Sequence, residues 1–93
     1  MIIVSQDKTK RINLNDIASI GIKEITEFDV TQELIIKEEN VGEYAIILDY
    51  KKKKKVAGIT VIVTDILGIY STKKRAIEVL EKLREEIFEM PEE

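Results

Sequence analysis

The chain has 93 residues, 44% of them hydrophobic and 35% charged, with a net charge of −3, one proline, and no cysteine, histidine or tryptophan. This length suits one core and no second domain, since domains run to about 100–150 residues, and the apolar share excludes a chain that stays disordered for want of a core. Without cysteine there is no disulfide framework, thiolate zinc site or cysteine nucleophile, and without histidine the usual neutral-pH base is missing.

Seventeen isoleucines and seven valines against six leucines and four alanines favour pleated sheet, where β-branched side chains pack well. The opening stretch Met1-Ile2-Ile3-Val4-Ser5-Gln6-Asp7 has no basic lead and its apolar run stops after four residues, so it does not read as a secretory signal. No run approaches the ~18 apolar residues of a membrane span. The expectation is a soluble, cytoplasmic protein with no membrane partner.

In chain order, a first strand is predicted over residues 1–5 and a polar turn over 6–9. A second follows over 10–14, with Ile12 and Leu14 turned inward, and Asn15-Asp16 punctuates it. Over 17–25, Ile20 and Ile22 alternate with Ser19, Gly21 and Lys23, as in a strand with one wet face. A further strand is expected over 32–37, with a turn at 39–42. Residues 44–50 and 56–63 read as two strands joined by Lys51, Lys52, Lys53, Lys54 and Lys55, a β-hairpin with a basic tip, and Gly58 reads as a bulge. The last strand, 66–70, leads into the helix.

The helix is predicted over about 72–90, capped by Ser71 or Thr72. Ala76, Val79, Leu80, Leu83 and Ile87 recur at helical spacing on one face. Glu78, Glu81, Lys82, Glu85 and Glu89 share the other, and Pro91 stops the helix. Several short antiparallel strands followed by one amphipathic helix make an α+β fold in a single domain spanning 1–93. The strands are expected to be mostly antiparallel, and with no helix between them parallel crossover units are not expected.

Two stretches carry a resemblance. The opening Ile3-Val4-Ser5-Gln6-Asp7 with Ile12-Asn13-Leu14-Asn15-Asp16-Ile17 and Ile20 resembles the start of a family of small uncharacterised proteins of Firmicutes and their prophages. The closing Leu67-Gly68-Ile69-Tyr70-Ser71-Thr72-Lys73-Lys74-Arg75-Ala76-Ile77-Glu78-Val79-Leu80 is similar to that family's last strand and helix start. Together with residues 44–50 the resemblance covers about half the chain. It implies a pleckstrin-homology-like domain, a bent, partly closed antiparallel β-barrel capped at one end by a C-terminal helix. It implies no activity.

Candidate functional residues follow from charge and chemistry. The lysines at 51–55 read first as a solvated tip that discourages edge-to-edge aggregation, and second as contacts for an anion or nucleic acid. The acidic balance and the lack of interleaved aromatics argue against nucleic acid. Residues 24–43 carry −6 while 44–70 carry +3, so head-to-tail homo-oligomers are conceivable if those charges sit at opposite ends. Lys73-Lys74-Arg75 open the helix where the macrodipole disfavours cations, and with Lys8, Lys10 and Arg11 they form a second candidate anion site. There is no phosphate-binding glycine loop and no EF-hand loop, so no cofactor, metal site or catalytic residue is assigned and the chain is not expected to be an enzyme. The function expected is that of a protein-interaction or assembly module, with Tyr44, Tyr50 and Tyr70 as candidate protein contacts for an unknown partner.

Overall fold

The computed structural model describes residues 2–31, 37–83 and 87–91. The chain starts with a hairpin of β1 (Ile2–Val4) and β2 (Arg11–Asn13). Asp7 builds its turn: the carboxylate accepts from the Ser5 hydroxyl at 2.6 Å, the Thr9 hydroxyl at 2.7 Å and the Thr9 amide at 3.0 Å. These donors stabilise the charged form and hold the Asp7 carboxyl at about 2. The 3-10 turn Leu14–Asp16 follows, with the Asn13 side chain accepting from the Asn15 amide at 3.0 Å. That turn carries Leu14 off the strand and leaves it 36% exposed, which corrects its expected inward orientation.

Strand β3 (Ile17–Glu24) and the short helix α1 (Glu27–Thr31) come next. Sequence patterning did not suggest α1. Its start is built by Thr26 and Asp29, three residues apart: Asp29 accepts from the Thr26 amide and hydroxyl, each at 2.9 Å, and pairs with Lys23 at 2.7 Å. Lys23 is the main reason the Asp29 carboxyl sits below its usual range. The strand expected over 32–37 lies outside the described residues except for Lys37, which leads into the 3-10 turn Glu38–Asn40.

The long strands β4 (Tyr44–Val56) and β5 (Ile59–Tyr70) form an antiparallel hairpin. Two expectations are corrected here. The lysines at 51–55 lie within β4 and not at a tip, because the reversal is made by Ala57 (φ 51°) and Gly58 (φ 80°), the two left-handed residues of a tight hairpin turn. The strands expected over 56–63 and 66–70 are one strand, interrupted by a bulge opposite Ile46 and Ile47.

Helix α2 (Lys73–Glu81) begins at Thr72, whose hydroxyl accepts from the Arg75 amide at 3.1 Å. It ends at Glu81, well short of the expected 90. Beyond it, β6 (Ile87–Glu89) pairs in parallel with β1, Ile3 opposite Phe88, and the Met90 amide donates to the Val4 carbonyl at 2.8 Å. The physical reason is that Ile3 and Val4 are buried and β2 covers one edge of β1, so the other edge needs a backbone partner. This parallel pair, joined by the whole intervening chain, corrects the expectation of no parallel crossover.

The result is an α+β arrangement of two three-stranded sheets, ordered β2-β1-β6 and β3-β4-β5. Ile46 and Leu48 alternate out of β4 into the main core, where they meet Ile3, Ile12, Ile17, Leu67, Tyr70, Ala76 and Val79. On the opposite face Ala45 packs with Ile25, flanked by Ile47, Ile66 and Ile69. Gln6 joins the two sheets. Its amide donates to the Leu67 carbonyl at 2.7 Å, and its side chain accepts from the Ile69 amide at 2.8 Å and donates to the Ile69 carbonyl at 3.2 Å.

Candidate functional site

Strand β3 pairs with β4 only from Tyr44 to Tyr50, so beyond that point β4 and β5 continue as a two-stranded arm. Residues 51–62 are all exposed. Val56 is 50% exposed, Ile59 67%, Val61 38% and Ile62 58%, a concentration of apolar surface that the rest of the described chain does not match. The register sets Lys53 opposite Ile62, Lys54 opposite Val61 and Lys55 opposite Thr60. Lys53, Lys55, Thr60 and Ile62 therefore share one face, while Lys54, Val56, Ile59 and Val61 share the other.

The arm is fastened at its base. The Tyr50 hydroxyl donates to Asp65 Oδ2 at 3.0 Å, and the Asp65 Oδ1 is paired with Lys10. Partial burial and the neighbouring Asp65 carboxylate push the Tyr50 hydroxyl up to about 12. Between residues 49 and 53 of β4 the ladder slips, with two more residues on β4 than on β5, and regular pairing resumes along the arm.

The predicted site residues are distributed unevenly around this feature. Lys51, Lys52, Lys53, Lys54 and Lys55 all lie on the arm, and among the described residues none of them meets a carboxylate. By contrast, Lys10 is held by Asp65, Lys23 by Asp29, and Lys37 lies 4.0 Å from Glu39. Of the tyrosines, Tyr44 and Tyr50 are half-buried against the main core. Tyr70 is fully buried and donates its hydroxyl to the Pro91 carbonyl at 2.7 Å, which removes it from the candidate protein contacts. The second candidate anion site loses its basis, because Lys10 is engaged by Asp65, Arg75 lies 3.8 Å from Glu78, and Thr72 caps the helix start.

The residues that sequence reasoning missed are Val56, Ile59, Val61 and Ile62, read there only as part of a strand over 56–63. Their signal was the lysine run itself: if the lysines belong to a strand, the strand opposite them extends beyond the core. An open groove of about 670 Å³ beside the arm base mixes Asp7, Glu39, Glu43 and Asp65 with Lys10 and Lys37. Among the described residues no group of three or more carboxylates converges on a metal position, and no helix is long and apolar enough to cross a membrane. No family model, curated protein or solved structure matches the chain.

Proposed function

We propose that the protein is a non-enzymatic, cytoplasmic interaction or assembly module whose working surface is the β4–β5 arm. The observation that carries this reading is the arm's exposure: a two-stranded ribbon, marginal by itself in water, holds Val56, Ile59, Val61 and Ile62 out in solvent. The pleckstrin-homology-like barrel and the kinship with the small Firmicutes and prophage family belong to the same proposal. The barrel is supported by the packing of α2 on β3, β4 and β5 and by the Gln6 bridge between the sheets, and the kinship by the opening and closing stretches of the sequence alone. To test the function, a variant with Val56, Ile59 and Val61 all changed to Ser is compared with wild type as bait for proteins of the native host. Loss of the proteins specific to wild type is expected, and an unchanged set contradicts the reading.

A second reading, anion or nucleic-acid binding, is favoured by the five lysines without carboxylate partners. The register divides them between two faces, so one groove of a duplex meets about two to three at once, a salt slope of about −2 to −3 in log K against log salt. Fluorescence anisotropy of a labelled oligonucleotide over a salt series decides it. Binding that weakens along that slope supports it, and no binding at low salt refutes it.

A further inference from the structure

The two strands of the arm have opposite open edges, and the edges differ in charge. Beyond Tyr50 the outer edge of β4 carries five consecutive lysines. The outer edge of β5 carries Ile59-Thr60-Val61-Ile62-Val63-Thr64, six β-branched residues without a charge. Among the described residues nothing bonds to the main chain of 59–66 on that side, and at Leu67 and Ile69 the edge is closed by Gln6. A row of unpaired N–H and C=O groups along an uncharged, β-branched strand is a template for another strand.

We infer that two copies of the chain pair antiparallel through β5, across a two-fold axis at Ile62, to give one six-stranded sheet. This rests on the arm being the working surface and names the partner it takes. Three observations support a second copy. The first is that Thr60-Val61-Ile62-Val63-Thr64 reads the same in both directions, as a strand that pairs with itself requires. A two-fold at Ile62 sets it opposite the partner's Ile62, with Thr60 opposite the partner's Thr64 and Val61 opposite the partner's Val63. Threonine meets threonine and β-branched meets β-branched, pairs that stabilise antiparallel sheets.

The second observation is the hydrogen-bond phase. Across a two-residue turn Val56 and Ile59 exchange ladder bonds, as do Lys54 and Val61 two residues on, so Thr60, Ile62 and Thr64 turn their N–H and C=O groups outward. These are the residues that face one another in the Ile62-centred register. The same register sets Ile59 opposite the partner's Asp65, so the paired stretch ends just before Leu67, where Gln6 closes the edge. The third is charge. Pairing through β4 would place lysine against lysine at about 5 Å. Pairing through β5 separates the two β4 strands by three strand spacings, about 14 Å, which exceeds the Debye length of about 8 Å at physiological salt.

Sedimentation equilibrium of the full chain over a wide concentration range tests this. Wild type is expected to rise to twice its 10.7 kDa mass, and raising the salt is expected to leave the dimer intact or tighten it. Dissociation by salt would instead indicate head-to-tail charge pairing and overturn the inference. Ile62→Lys, at a position 58% exposed, is expected to remain at monomer mass and to melt as wild type does at concentrations where wild type is monomeric. The chain has no cysteine, so single-cysteine variants report the register. Under diamide, Ile62→Cys is expected to cross-link. Thr60→Cys is expected not to, because its two copies would lie about 14 Å apart along the strands, beyond disulfide reach of about 7 Å. Monomer mass for wild type at every concentration, or cross-linking at 60 and not at 62, overturns the inference. A monomer whose Val56, Ile59 and Val61 still govern capture of another protein overturns this pairing and leaves the proposed function standing.

Discussion

Gly68 and Ala57 each sit where one atom decides the local energy. A Cβ on Gly68 would lie 2.9 Å from Tyr70 Oη and 3.1 Å from Cε2, and the Tyr70 ring cannot retreat, since it is fully buried and its hydroxyl is bound to the Pro91 carbonyl. Gly68→Ala is therefore expected to destabilise the fold by about 1–3 kcal/mol, the usual cost of overpacking, measured by urea denaturation with the slope unchanged. An unaltered midpoint would show that the ring yields. Ala57 holds φ at 51°, a left-handed conformation that costs an L-residue roughly 1–2 kcal/mol. Asn is favoured at that turn position, so Ala57→Asn is expected to stabilise the arm by about 1 kcal/mol, read as slower hydrogen exchange of the arm amides. The sequence showed a glycine at 58 but not its role: Ala-Gly is a less familiar turn pair than Asn-Gly, and the reversal was sought among the lysines.

At the level of elements, Gln6 shows how an edge strand is closed by a side chain. Its amide reproduces the donor and acceptor of a peptide group and pairs with both backbone groups of Ile69. With each such bond contributing about 0.5–1.5 kcal/mol net, Gln6→Leu is expected to cost about 2 kcal/mol and to raise exchange at the Ile69 amide above that of its neighbours in β5. No sequence signal marks this glutamine, because its partner is 63 residues away. The strand faces were legible, as Ile20, Ile22, Ile46 and Leu48 do pack toward one core. Strand ends were not, because a ladder is made by backbone groups and tolerates lysines whose heads stay in water. The helix end was equally hidden, since position 87 satisfies the helical period and also suits a strand beside β1. Tyr50 links the arm base to pH. Its folded pKa of about 12 exceeds the ordinary 10, so its contribution is complete below pH 10 and is lost as pH rises from 10 to 12. Tyr50→Phe is expected to lose less stability than wild type across that window in thermal melts, and parallel curves would contradict the assignment.

Over the whole molecule, charge and apolar surface are sorted along β4 and β5. Glu24 pairs with Tyr44 at one end of β4, while the lysines at 51–55 occupy the other, about 23 to 36 Å away at the rise of a strand. The opposition of an acidic middle and a basic tract was legible in the sequence. Its consequence was not, because only the pairing register reveals that the lysines guard one edge of a free arm and leave Thr60-Val61-Ile62-Val63-Thr64 on the other. Lysine on one edge makes association through β4 unfavourable and directs it to β5. The most direct measurement of this claim is amide hydrogen exchange at Thr60, Ile62 and Thr64 as a function of protein concentration. Protection that appears with concentration at these three amides, while the outward-facing β4 amides of Lys53 and Lys55 stay unchanged, is the expected result. Exchange at unprotected rates at every concentration would contradict it.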